Sequence, residues 1–242
     1  MAQRGLCSRR EADRLISEGK VYVDGELAPP TGMMVDEDVK ISLSEGGKGE
    51  LESKVTVILN KPRGLVSHLP EEDQEEASVL LRADRYRGEL RGKALDQLCK
   101  KMDSLSVAGR LDRSSRGMLI FSNDGVVAKH LTMGGHHFKK YLVKPKELAT
   151  AKQVKELNSM RRLLHWNILP MEVYPAPNER LVFVLNEGKK HQIREACYAV
   201  GLEVSDLYRV QMGPIELGPL AEGCWRELSS DEREDVVAGP ID

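Results

Sequence analysis

The chain has 242 residues, of which 40% are hydrophobic and 31% are charged, a balance typical of a globular protein with one or two domains. No apolar run approaches the roughly 20 residues that cross a bilayer, so we expect no membrane-spanning segment. The 36 Lys and Arg residues against 38 Asp and Glu give a net charge of −2. That average argues only weakly against a nucleic-acid partner, because a partner responds to local charge.

A small α/β unit is predicted at residues 1–43. Ser8 and Glu11 have the spacing of a capping box, and the helix that they open carries apolar residues on one face and ends at Gly19. Asp24-Gly25 is a strong signal for a tight hairpin. Alternating residues predict strands on both sides of it, at 21–23 and 39–43.

The next boundary is compositional. Residues 44–54 are predicted to form a flexible linker, because they begin with a glycine-rich, charged run. Residues 55–242 then form a second, strand-rich domain. Strands that follow one another without regular intervening helices favour an α+β fold. We predict strands at 55–60, 105–109, 117–122, 139–144, 168–174, 180–186 and 207–212, and helices at 125–133, 151–162, 189–200 and after Ser229.

Positive charge is concentrated in residues 109–146, which carry a net charge of +6 and leave −8 for the rest of the chain. Within this stretch, a polar loop between two predicted strands places Asp112 among Arg110, Arg113 and Arg116. Nearby positive charge favours the ionised form of a carboxylate, which can act as a nucleophile or base. The alternative from local chemistry is that Asp112 caps a turn and pairs with an arginine.

The sequence Gly-Arg-Leu-Asp at 109–112, followed by serine, glycine and aliphatic residues, resembles the catalytic motif of pseudouridine synthases. Within these enzymes, the chain most resembles the ribosomal-RNA branch named for RsuA, RluB, RluE and RluF, and in that branch the RluF type. It extends over nearly the whole chain, and further matching segments lie at 59–64, 122–125, 140–143, 188–194, 213–215 and 225–228. It implies a catalytic domain with a mixed, mainly antiparallel sheet.

The first unit resembles the small RNA-binding domain shared with a ribosomal small-subunit protein and tyrosyl-tRNA synthetases. The matching segment is 5–13. Independently of the resemblance, four basic residues lie on or beside one capped helix, where they are expected to contact RNA phosphates: Arg9, Arg10, Arg14 and Lys20. A merely solvated helix face is the alternative.

The resemblance also implies roles for residues of the second domain. Asp112 is the catalytic nucleophile, Tyr141 stacks on the target base, and Arg194 pairs with Asp112. Arg110 takes the place of the flipped uridine in the RNA helix. The remaining residues that we expect to contact RNA are Arg113, Arg116, Lys140, Lys189 and Lys190.

We expect no metal and no organic cofactor. The four cysteines contain no Cys-x-x-Cys pair, and the adjacent His136 and His137 point to opposite faces if their segment is extended. Sparse cysteines and the absence of a targeting signal predict a reducing, cytoplasmic location. The helix expected before residue 5 is short here, so a truncated start and an organellar origin remain an alternative.

The predicted function is isomerisation of a uridine in ribosomal RNA by a monomer, with large-subunit RNA favoured, either free or in an assembling particle. A catalytically silent RNA-binding or assembly factor is the alternative from another class. A synthase for small-subunit or transfer RNA is a third. Lys140, Arg116 and Glu195 depart from the family pattern and leave the RNA target open.

Overall fold

The computed structural model describes residues 1–36, 38–133 and 137–239. His136, considered above as half of a metal-binding pair, lies outside these residues. So do residues 240–242 of the predicted second domain.

The N-terminal unit packs one helix on a small antiparallel sheet. Helix α1 (Arg9–Ser17) begins after Ser8, whose hydroxyl accepts a hydrogen bond from the Glu11 N–H at 3.3 Å. The Glu11 carboxylate pairs with Lys54, so half of the predicted capping box is present. The sheet has the order β2-β1-β3, with strands β1 (Val21–Val23), β2 (Glu26–Leu27) and β3 (Ile41–Leu43).

The segment predicted as a flexible linker is helical. Helix α2 (Glu45–Glu52) begins at Ser44, whose hydroxyl accepts from the Gly47 N–H at 3.2 Å. Glu50 pairs with Arg14 and Lys20, and Leu51 packs against the core of the N-terminal unit. Glycine weakens a helix, but tertiary contacts supply most helical stability, and here they outweigh the local preference.

In the described part of the chain, nine strands form the main sheet of the second domain. The central order is β10-β11-β7-β12-β6-β4-β14, with β5 beside β6 and β13 beside β12. Only the β12–β6 pair is parallel among these pairs. The strands, with the separate β8–β9 hairpin, are β4 (Thr56–Lys61), β5 (Ser106–Ala108), β6 (Arg116–Ser122), β7 (Lys139–Pro145), β8 (Arg162–Leu163), β9 (Trp166–Asn167), β10 (Met171–Ala176), β11 (Arg180–Leu185), β12 (Val204–Met212), β13 (Ile215–Glu216) and β14 (Trp225–Glu227).

Helices cover the sheet, and short 3₁₀ turns lie at 77–80, 83–85 and 102–104. The predicted helix at 189–200 starts later, at Gln192, because His191 has a left-handed backbone with φ 55°. Complete capping boxes begin the helices after Thr150 and Ser229. The helices are α3 (Gly92–Cys99), α4 (Gly125–Thr132), α5 (Ala151–Ser159), α6 (Gln192–Ala199) and α7 (Ser230–Ala238).

The centre of the sheet is buried on both faces, since alternate residues of β6 point to opposite sides. Met118 and Ile120 pack towards α4 and α7, whereas Leu119 and Phe121 pack towards α3 and Trp225. A third cluster joins β7, β10, β11 and β12 to α5 and α6. The architecture is therefore α+β with a mainly antiparallel sheet, which confirms the predicted fold class.

Candidate active site

The loop that carries Asp112 connects β5 to β6 and is held on both sides of the aspartate. Ser67 Oγ donates to the Leu111 carbonyl at 2.5 Å and accepts from the Leu111 N–H at 2.9 Å. The Gly64 N–H donates to the Arg113 carbonyl at 2.9 Å, and Arg113 Nε donates to the Gly64 carbonyl at 2.9 Å. The backbone on both sides of the Asp112 carboxylate, whose side chain is 31% exposed, is therefore fixed.

Arg209, which is 1% exposed, binds the same loop from within the sheet. Its Nη2 donates to the Gly109 carbonyl at 3.0 Å, its Nη1 to the Arg110 carbonyl at 3.1 Å, and its Nε to the Met118 carbonyl at 2.8 Å. The approach of β12 to β6 requires Gly117, because a Cβ there would lie 2.3 Å from the Arg209 carbonyl oxygen. Arg209 was not among the predicted site residues, although its place on a predicted strand, two positions after the apolar Leu207, marks it as a charge on the buried face.

The partner of Asp112 differs from the prediction. His191 Nε2 lies 3.6 Å from Asp112 Oδ1. Arg194, which was expected to pair with Asp112, donates instead to the carbonyls of Ser114 at 3.2 Å and Val204 at 3.3 Å. Arg194 therefore contacts the backbone of the loop, at Ser114, rather than the Asp112 carboxylate.

Two buried lysines add positive charge near Arg209. Lys61 is fully buried, and its Nζ donates to the carbonyls of Pro62 at 2.8 Å and Leu65 at 2.9 Å. Burial, followed by repulsion from Arg209, lowers the pKa of Lys61 to about 8. The same two causes lower the pKa of Lys139. Neither lysine was singled out as a site residue from the sequence.

A cavity of about 440 Å³ opens beside Asp112. Tyr141 and Lys139 line it from β7, and Leu207 lines it from β12. Lys140, which is expected to contact RNA, does not line this cavity, because adjacent residues of a strand point to opposite faces. The cavity thus combines the Asp112 and Glu187 carboxylates, the Tyr141 ring and apolar walls, which suits a planar pyrimidine base.

Further basic residues surround the mouth of the cavity. Arg110, Lys189 and Lys190 line it together with His191. The side chains of Arg110 and Lys190 make no hydrogen bond or salt bridge to any residue that the structure describes, and both are exposed. Arg113 is also exposed, although its Nε is engaged by Gly64. Contact of these side chains with RNA stays a prediction.

Arg116 occupies a different environment from the one predicted. Its guanidinium binds Asp206 through Nη2 at 2.8 Å and Nε at 3.0 Å, and lies 4.0 Å from the ring centroid of Tyr208. Burial disfavours the charged form of Asp206, but hydrogen bonds from Arg116 and Arg63 hold its pKa below the ordinary value. Arg116 is therefore part of a structural ion pair and is not free to contact phosphate.

The four basic residues of the N-terminal unit also divide into two groups. Arg9 and Arg10 are exposed and have no hydrogen-bond or salt-bridge partner within residues 1–36, 38–133 and 137–239. Arg14 lies 2.6 Å from the Glu50 carboxylate, which also binds Lys20. Arg14 and Lys20 are therefore already paired within the chain, which favours Arg9 and Arg10 as phosphate contacts, and contact of the four residues with RNA stays a prediction.

The described residues contain no cluster of three or more His, Cys, Asp or Glu side chains arranged to hold a metal ion. No helix among them is both long and apolar enough to cross a membrane.

Comparison with known proteins identifies both units. A family model described as RNA pseudouridylate synthase matches residues 55–199, and one described as the S4 domain matches residues 1–40. A protein of Mycobacterium leprae described as an RNA pseudouridine synthase is 33% identical over 239 residues, covering 96% of this chain and 88% of the relative. The dual-specificity RNA pseudouridine synthase RluF of Escherichia coli is 29% identical, covering 98% of this chain and 76% of RluF.

A crystal structure of a pseudouridylate synthase has the same fold, with a TM-score of 0.65 and 22% identity, covering 98% of this chain and 96% of the other. The fold, the cationic cavity and the S4 unit together define an RNA-modifying isomerase. The chain belongs to the RNA pseudouridylate synthase family, and RNA is its substrate. Relatives named RluF confirm the resemblance to the RsuA-type branch.

Proposed function

We propose that this synthase isomerises a uridine of large-subunit ribosomal RNA, with Asp112 as the nucleophile. The observation that carries the proposal is the half-exposed Asp112 carboxylate at a 440 Å³ cavity lined by Tyr141 and basic side chains. A uridine base reaches such a cavity only after it leaves the RNA stack, which costs a few kcal/mol. Arg110 is exposed at the mouth and is suited to fill the gap that the base leaves.

In the proposed reaction, Asp112 makes or promotes cleavage of the bond between ribose and the base nitrogen. The base turns within the cavity while Tyr141 stacks on it, and a ring carbon then bonds to the ribose. The proton carried by that carbon leaves and the nitrogen that was bonded to the ribose gains one, so the product has the same atoms as the substrate. Arg209 and the Ser67 hydrogen bonds keep the carboxylate in place during this rearrangement.

Large-subunit RNA is favoured because the sequence motifs are those of the ribosomal-RNA branch. Relatives carry the name dual-specificity RNA pseudouridine synthase, so the test below also covers transfer RNA, the alternative substrate considered from the sequence. The four described cysteines are unpaired, which agrees with a cytoplasmic enzyme, and we propose that it acts as a monomer.

The test is pseudouridine mapping of ribosomal and transfer RNA from cells that carry the wild type or Asp112→Asn as their only copy. We expect one or more sites in large-subunit RNA to disappear in the variant. Asp73→Asn, which alters an exposed carboxylate away from the cavity, is the control and retains all sites. Identical maps for wild type and Asp112→Asn would show that Asp112 is not the nucleophile.

A further inference from the structure

The β8–β9 hairpin presents an exposed aromatic residue next to the catalytic cavity. Trp166 is 42% exposed, and Leu164 at the tip is 68% exposed with a left-handed φ of 53°. The strand register pairs Leu163 with Trp166, so both side chains lie on the same face of the hairpin. The hairpin therefore presents an indole ring where a surface loop would usually be polar.

Trp166 lines a pocket of about 200 Å³ with a largely apolar floor that includes Leu163 and Ile168. The opposite wall is the segment 189–192, which also lines the catalytic cavity. The two hollows therefore share a wall, and an RNA strand that places one base in the cavity passes the pocket with a neighbouring nucleotide.

The charges around the pocket favour a polyanion. Lys189 Nζ lies 5.7 Å from the Trp166 ring centroid and donates to the Asn167 carbonyl. It also lies 3.5 Å from the Glu187 carboxylate. Lys189 therefore connects the hairpin to the segment that precedes α6. Lys190 is exposed on the pocket wall and has no hydrogen-bond or salt-bridge partner in the described part of the chain.

The same wall carries one acidic group, Glu195. An apolar ring face beside an unpaired lysine matches a nucleotide, which has a flat base and an anionic phosphate.

We propose that this pocket binds a nucleotide adjacent to the flipped uridine, with its base stacked on Trp166 and its phosphate contacted by Lys190. The assignment of the main cavity to uridine rests on the proposed function, but the pocket can be tested without catalysis. Stacking on a single aromatic side chain typically changes affinity by roughly tenfold. The pocket would then help to hold the RNA strand open beside the target base.

The test uses Asp112→Asn as the common background and measures equilibrium binding rather than activity, so its outcome does not depend on which residue is the nucleophile. The probe is a short single-stranded oligouridylate. The chain has two tryptophans, and Trp225 is fully buried, so fluorescence quenching on titration reports on Trp166. We expect quenching with the oligonucleotide, and a roughly tenfold weaker Kd by anisotropy for Trp166→Ala, with Trp166→Phe between the two.

Two controls separate stacking from charge and from general loss of an aromatic surface. Tyr198→Ala removes a 78% exposed ring on α6 and leaves the Kd unchanged. Heparin, which has negative charge and no bases, binds the wild type and Trp166→Ala equally. An unchanged oligouridylate Kd in Trp166→Ala, or an equal loss for heparin, would overturn the proposal. Circular dichroism confirms that the variants compared are folded.

Discussion

His191 Nε2 lies 3.6 Å from Asp112 Oδ1, and His191 reaches this position through a left-handed backbone with φ 55° and ψ 18°. This conformation is uncommon for a residue other than glycine and costs roughly 1–2 kcal/mol. The strained residue immediately precedes α6 and also lines the cavity. From the strain and the proximity to the carboxylate we infer that the imidazole positions Asp112.

Replacing His191 separates stability from activity. We expect the free energy of unfolding of His191→Gly to equal that of the wild type or to exceed it by about 1 kcal/mol, because glycine adopts this backbone without strain. Its turnover falls by roughly fivefold, since one polar contact to the carboxylate is lost.

His191→Ala retains the strain and loses the contact, so both quantities fall. Urea denaturation and single-turnover isomerisation measure the two effects. Full activity in His191→Gly would show that His191 only forms the backbone turn before α6 and does not position Asp112.

Replacing Arg209 should damage both the loop and the reaction. Arg209→Met leaves three inward carbonyls, at Gly109, Arg110 and Met118, without their donor, and we expect a loss of about 3 kcal/mol in the free energy of unfolding.

Arg209→Lys keeps the charge but cannot reach three carbonyls at once, so it loses most of the activity and less of the stability. Turnover is normalised to the folded fraction from denaturation curves. A fully active Arg209→Lys variant would show that charge, rather than the three-carbonyl contact, is what the site needs.

The pKa of Lys61 makes stability depend on pH in the alkaline range. Since that pKa is about 8 in the folded chain and 10.5 ordinarily, the folded state binds fewer protons between these values, and stability rises as pH rises through them. Below pH 8 the buried charge costs about 3 kcal/mol, and the cost disappears above 10.5.

Lys61→Met removes this cost at every pH. We expect the wild type to gain about 2 kcal/mol relative to Lys61→Met between pH 7 and pH 10, measured by guanidinium denaturation. In Lys61→Met the carbonyls of Pro62 and Leu65 lose their donor, and this loss destabilises the variant equally at all pH values. If the difference in free energy of unfolding between the wild type and Lys61→Met stays constant with pH, the pKa of Lys61 is not lowered in the folded chain.

The N-terminal basic residues are expected to contribute unequally to RNA binding. Arg9→Gln with Arg10→Gln removes two unpaired charges, so the slope of log affinity against log salt decreases by roughly 1 to 2. Arg14→Gln removes a charge that Glu50 already balances, so its slope stays close to that of the wild type. Filter binding to total ribosomal RNA at several salt concentrations measures both. Equal slopes for the two variants would mean that pairing with Glu50 does not decide which arginines contact RNA.

Local patterns in the sequence predicted much of the fold. Apolar runs predicted the strands that became β4, β6, β7 and β11, and helices begin after Thr150 and Ser229 as predicted. The Asp112 loop was found from its charge and its motif. These features depend on residues close together in the chain, where periodicity and spacing are informative.

The errors involve contacts between residues far apart in the chain. Arg116 and Asp206 are 90 positions apart, so no local pattern showed that this arginine is already paired. The segment at 44–54 was predicted to be a flexible linker, but ion pairs from Arg14 and Lys20 to Glu50 stabilise residues 45–52 as a helix. The buried Lys61, Lys139 and Arg209 come together only when the sheet forms.

The described lining of the catalytic cavity has five lysines and arginines against two carboxylates, Asp112 and Glu187. The empty enzyme therefore keeps like charges close together, and some of them are partly removed from water. An RNA strand that binds there brings phosphates as counterions, so we expect the RNA-bound enzyme to resist heat and proteolysis better than the free enzyme. The substrate would then also stabilise the fold that modifies it.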